Sequence, residues 1–155
     1  MATPKRKIYV ASSWRNTFQP MAVHVLRTVE NFEVYDFRHP RPGERGFAWS
    51  DIDGEWLRWT PDRYIEALED PVAVAGFNSD LDAMKWADTF VLVMPAGRSA
   101  HLELGWAAGA GKETVILLDE EGFEPELMYK LADHVVTTMS DVLDVLWVSD
   151  EEDEL

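Results

Sequence analysis

The chain has no cysteine. Disulfides, thiolate metal sites and cysteine nucleophiles are therefore excluded. Basic side chains are scarce: 14 Lys and Arg stand against 29 Asp and Glu, a formal net charge of −15. A nucleic-acid binder needs a field of Lys and Arg, so this balance argues against one. It leaves room for a local basic pocket that holds one small anion. No apolar run nears the ~20 residues of a membrane span, and the first residues lack the apolar stretch of a secretion signal. The expectation is a cytoplasmic protein that engages neither nucleic acid nor membrane. His24, His39, His101 and His134 show no metal-ligand spacing, so neither a metal nor another cofactor is expected.

What is present is a core. Apolar residues make up 46% of 155, enough for one domain to bury its own interior. Residues 1–7 read as a short basic segment that frays. Compact apolar runs at 8–11, 32–37, 89–94 and 114–118 read as strands, and 135–138 as a short last one. Helical patterns lie between them. Pro20 opens the first, Thr60-Pro61 and Asp70-Pro71 cap two more, and Ser99 caps a fourth running to Gly109. Pro125 opens a helix to Ala132, and Ser140 caps the last. Alternating strands and helices, with strands apolar on both faces, predict an α/β fold. The expected form is a single-domain, doubly wound, Rossmann-like or flavodoxin-like parallel sheet of about five strands with helices on both faces. The domain spans residues 1–148, and 149–155 form a solvated acidic tail.

Residues 38–59 break the pattern with Pro40, Pro42, Gly43, Gly46 and Gly54 and with Trp49, Trp56 and Trp59. A loop this long is functional or disordered, and tryptophans argue against disorder. A packed flap and a substrate lid are both consistent with it. In a doubly wound sheet ligands sit at the carboxyl ends of the strands. That rim would carry residues 12–16, the 38–59 segment and residues 95–99.

Two carboxylates fall on apolar helix faces when residues are turned about 100° each. Asp80 shares a stripe with Ala73, Phe77, Met84 and Ala87, and Glu103 shares one with Ala100, Leu104, Ala107 and Ala110. A carboxylate there must be paired, neutral or lining a cavity. Two carboxylates flanking one strand suit glycosyl transfer, in which one attacks the sugar carbon and the other protonates the leaving group. Glu103, about one turn into its helix, suits the ionised nucleophile. Asp80, deep in its stripe, suits the proton donor. Ser13 and Arg15 follow the first strand, where backbone amides and a guanidinium would hold a phosphate, and Arg98 would add a second cation. Trp49 and Trp56 are candidates for stacking on a base.

Three blocks in order carry a resemblance: Ile8-Tyr9-Val10-Ala11-Ser12-Ser13-Trp14-Arg15-Asn16, then Ser79-Asp80-Leu81-Asp82 with Ala87-Asp88, then Ser99-Ala100-His101-Leu102-Glu103-Leu104-Gly105-Trp106-Ala107. Together they resemble the nucleoside 2-deoxyribosyltransferase superfamily, and within it the 2'-deoxynucleoside 5'-phosphate N-hydrolase branch. The resemblance implies a homodimer or higher oligomer that cleaves an N-glycosidic bond through a covalent glycosyl-enzyme. It implies Glu103 as nucleophile, Asp80 as the acid at the leaving base, Tyr9 near the nucleophile, and Ser13 and Arg15 at a 5'-phosphate. The family carries Asp or Ser six residues before the nucleophile. This chain has Gly97 there, with Ser99 two residues on as a replacement hydroxyl. The reading that results is hydrolysis of a (deoxy)nucleoside 5'-monophosphate. The alternatives are base exchange by a deoxyribosyltransferase, or a module that binds or cleaves a nucleotide or NAD derivative.

Overall fold

The computed structural model describes residues 5–119 and 121–153. Among them, five strands form one parallel α/β sheet in the order β2-β1-β3-β4-β5. The strands are β1 (Arg6–Ala11), β2 (Phe32–Asp36), β3 (Thr89–Val93), β4 (Glu113–Leu117) and β5 (His134–Val136). The helices are α1 (Gln19–Arg27), α2 (Pro61–Ala67), α3 (Pro71–Trp86), α4 (Arg98–Gly109) and α5 (Met139–Asp153). The order is the flavodoxin-like one, so the doubly wound expectation holds. Tyr9 lies opposite Phe90, and Val91 opposite Val115. No helix of the described residues is long and apolar enough to cross a membrane.

The chain divides into two compact units. One comprises the described residues up to Tyr35 and those from Ala87 on; the other is Asp36–Trp86. In the sheet unit, alternation along each strand sends side chains to two faces. Ile8, Val10, Val91, Val93, Val115 and Leu117 point to one face, where they meet Ala22, Val23 and Leu26 of α1 and Val142 and Leu146 of α5. Tyr9, Phe90 and Ile116 point to the other, which α4 covers through contacts with β1, β3 and β4. The three central strands are buried on both faces, which is why they read as unbroken apolar runs.

Several local expectations change. Arg6 and Lys7 do not fray, because they begin β1. The Arg6 guanidinium is buried and donates to Thr89 Oγ1 (2.9 Å), Glu113 Oε2 (2.6 Å) and the Leu146 carbonyl (2.8 Å). Ser99 is not a cap: α4 starts at Arg98 with Gly97 at its N-cap. Thr138, not Ser140, caps α5, its hydroxyl accepting from the Asp141 amide at 3.0 Å. The segment after Pro125 makes only a 3-10 turn at Leu127–Leu131. The backbone of α5 continues through much of the acidic segment, while residues 154–155 lie outside the described residues. Thr60 and Asp70 do cap α2 and α3, accepting from the amides of Arg63 and Val72.

One side chain joins the loops at the carboxyl edge. Asn16 Nδ2 donates to the carbonyls of Val93 and Pro95, both at 3.1 Å, and its Oδ1 accepts from the amides of Phe18 (2.8 Å) and Gln19 (3.0 Å). Ser12 adds a bond from its hydroxyl to the Val93 carbonyl at 2.8 Å. The start of α1 is thereby tied to the β3–α4 loop. Asn16→Ala leaves buried donors and acceptors unmet at both ends, and we expect it to destabilise by about 2–3 kcal/mol. Urea unfolding with an unchanged denaturant slope checks this; a loss below about 0.5 kcal/mol would mean water replaces the amide fully.

Candidate functional site

The sheet order reverses between β1 and β3, so the loops leaving these strands diverge and open a crevice. The first loop carries Ser13 and Arg15; the second carries Gly97 and leads through Arg98 and Ser99 into α4. The Asn16 and Ser12 bonds hold these two loops together. Five residues proposed from sequence are thus brought to one rim: Ser13, Arg15, Gly97, Arg98 and Ser99. Ser13 is half-buried, and its Oγ accepts from the Arg15 amide at 3.2 Å. Arg15 and Arg98 are exposed, and among the described residues neither guanidinium has an ion-pair partner.

Glu103 stands higher on the same helix. Ala100, Leu104 and Ala107 are the buried stripe of α4, and Glu103 is half-buried on one flank of it. Trp106, one turn on along that flank, lies 6.2 Å from Phe90, which stacks on Tyr9 at 4.9 Å. Tyr9 stacks in turn on Tyr35 of β2 at 5.2 Å. The flank bearing Glu103 therefore faces β1. Tyr9 itself is fully buried under this side of α4. Ala110, expected in the stripe, is exposed, because the helix ends at Gly109.

The opposite flank of α4 presents His101, which sequence reasoning set aside. His101 Nδ1 is 2.7 Å from the Gly97 carbonyl, and Nε2 is 2.7 Å from the Tyr129 hydroxyl. The two rings stack at 5.7 Å. They border a cavity of about 480 Å³ between α4, β4 and the segment after β4. Burial, and next the charge of Glu126, push the Tyr129 hydroxyl above the usual phenol range. No spacing in the sequence joins residues 28 apart, so only the fold brings this pair together. Among the described residues, no group of three or more His, Asp or Glu is placed to hold a metal ion.

The unit Asp36–Trp86 holds Asp80, Trp49 and Trp56. In α3, Ala73, Ala83 and Met84 are buried and Asp80 is half-buried in line with them. Phe77, expected in that stripe, is 64% exposed, one residue round the helix from Gly76, which takes its place. Asp80 borders a cavity of about 310 Å³ with Ser79, Phe47, Arg41 and Arg45. Arg45 pairs with Asp51 at 2.5 Å. The tryptophan-rich stretch is ordered by its own rings: Trp49 meets Phe47 (4.8 Å), Trp59 (5.7 Å) and Tyr64 (5.7 Å) edge-on. Trp56 is half-buried in a short 3-10 turn. Gly76 lets Phe47 lie against α3, since a Cβ there would stand 2.8 Å from Phe47 Cβ.

The chain matches no protein-family model, and no curated protein matches it in sequence. Among solved structures it is similar to a conserved protein from Enterococcus faecalis V583, with 17% identity and a TM-score of 0.60 over 90% of this chain and 96% of that one. It also aligns with the CMP N-glycosidase BcmB of Clostridium botulinum, at 18% identity and a TM-score of 0.48 over 90% of this chain and 96% of that one. The first likeness is one of fold, and it defines the chain as a doubly wound α/β protein.

The aromatic stretch carries its own pH marker. Trp59 Nε1 donates to Asp53 Oδ2 at 2.8 Å, and this bond, with the Glu55 amide, holds the Asp53 carboxyl below its ordinary value of 3.8. A depressed carboxyl stabilises the fold above its unfolded pKa, and that contribution is lost as pH falls through the folded one. The Trp59 indole N–H resonance should therefore shift with a midpoint below 3.8. It should stop titrating in Asp53→Asn. A midpoint at or above the ordinary value would show that the bond is not held in solution.

Proposed function

We propose that the protein is an N-glycosidase that hydrolyses the base–sugar bond of a nucleoside 5'-monophosphate. The observation that supports this most is the half-buried Glu103 on the β1-facing flank of α4, the helix that the second rim loop leads into. Half-burial partly shields the Glu103 side chain from water, and the sequence resemblance implies it as the nucleophile. In the reaction, the Glu103 carboxylate attacks the anomeric carbon as the bond to the base breaks. The base leaves with a proton supplied by a general acid, the role that the sequence resemblance implies for Asp80. Water then attacks the glycosyl ester, releasing the sugar phosphate and restoring the carboxylate.

The rim explains why the substrate would be a monophosphate. The general field of a −15 chain repels anions, so a phosphate needs a local counter-charge. Arg15 and Arg98 supply two guanidinium groups on the loops that Asn16 joins, and the α4 amino end adds backbone N–H groups. Ser13 and Ser99 add hydroxyls, and Gly97 leaves the backbone open to close approach, since nothing stands within 4 Å of a Cβ built there.

Incubation with a panel of nucleosides, monophosphates and NAD, with free base read by chromatography, tests the activity. Glu103→Gln should abolish base release while the fold is kept, as circular dichroism would show. Unchanged release from this variant would assign the nucleophile elsewhere. Arg15→Ala should cut kcat/KM for the monophosphate about 10- to 100-fold and leave the nucleoside rate unmoved, as expected for a lost charge-assisted contact. Equal rates on nucleoside and monophosphate in the natural protein would overturn the phosphate assignment. Transfer of the sugar to an added base, in preference to water, would make the enzyme a transferase.

A further inference from the structure

The proposed reaction leaves the cavity beside His101 and Tyr129 unused. Its walls are apolar, formed by Met94, Leu104, Ile116, Phe123, Met128 and Leu131. At about 480 Å³ it has the size of a small-molecule site. It lies on the flank of α4 away from Glu103, whose side chain does not line it.

The polar groups around the cavity share one character. A carbonyl can only accept, so His101 Nδ1 donates to Gly97, and in the neutral tautomer that this bond selects Nε2 is an acceptor. His101 Nε2 then accepts, and the Tyr129 hydroxyl donates to it. The Met94 thioether, 3.7 Å from that hydroxyl, is the weaker acceptor. With its proton committed, the Tyr129 oxygen offers lone pairs only. The remaining ionisable groups of the lining are the carboxylates of Asp119, Glu124 and Glu126. No Lys or Arg is among the described residues that line it. An apolar chamber fringed by acceptors and negative charge selects a ligand with an apolar body and a donor nitrogen. It rejects an anion.

We propose that this cavity is a second binding site, for a hydrophobic organic amine, distinct from the Glu103 rim. The apolar body fills the space between α4 and the segment after β4. The ammonium reaches the Tyr129 oxygen and the carboxylates at the mouth. Such a charge-assisted contact is stronger than a neutral one, and the carboxylates keep the site from competing for nucleotide.

Isothermal titration of the full chain with tryptamine, and with indole-3-propionate as the anion on the same ring, tests the site without reference to any activity. Tryptamine should bind one-to-one, and indole-3-propionate should give no saturable heat. Gly105→Leu blocks the cavity by filling it, and a side chain begins there in open space, with nothing within 4 Å of its Cβ. This variant should weaken tryptamine at least about tenfold. Ala108→Leu, on the same lining, gives a second and independent block. The double variant Glu124→Gln with Glu126→Gln should weaken the amine about three- to tenfold and admit the propionate. Absence of tryptamine binding at millimolar concentration, equal binding of the two probes, or binding unaltered by both blocking variants would overturn the proposal.

Discussion

Strands β1, β3 and β4 are apolar on both sides, and the rest of the fold follows from that constraint. A strand with two apolar faces needs cover above and below. In the sheet unit α1 and α5 supply one layer and α4 the other. Covering two faces with crossovers of one hand makes the chain leave β1 in one direction and resume at β3 in the other. The loops at the carboxyl ends of these neighbours must then part. The crevice is thus a by-product of burial, and Asn16 sets its width by bonding to both sides of it.

Helix α4 divides the unit chemically. One flank looks toward β1 and carries Glu103 and Trp106; the other looks toward β4 and carries His101, hydrogen-bonded to Tyr129. Both flanks depend on the small residues of the buried stripe, Ala100 and Ala107, which let the helix sit close on the sheet.

The sheet was legible in the sequence because its strands are continuous apolar runs bounded by polar turns. Helix starts at Thr60 and Asp70 were legible because the capping residue stands next to proline. At Ser99 and Ser140 the same residue type misled, since a glycine and a threonine nearby took the capping geometry. Glu103 drew notice as a charge among alanines, and Asp80 likewise. Phe77 was misplaced because a large apolar residue outweighs a glycine in any stripe drawn on paper. The His101–Tyr129 contact left no trace in the sequence, because it joins a helix to a 3-10 turn that has no periodicity to read. Order within residues 38–59 was legible from its tryptophans, but the ring pairs were not, because edge-on contacts leave no repeat.

The contact between Gly76 and Phe47 bears on how this chain can vary. A methyl group at position 76 would collide with the first side-chain carbon of residue 47, not with a ring that can swing away. Neither position can therefore change freely while the other is held. Among diverging relatives the two should drift as a pair, with a larger residue at 76 appearing only where 47 has lost its bulk. An alignment of divergent relatives would then carry, in two columns, the imprint of a helix that has given up one side chain to seat the aromatic stretch against it.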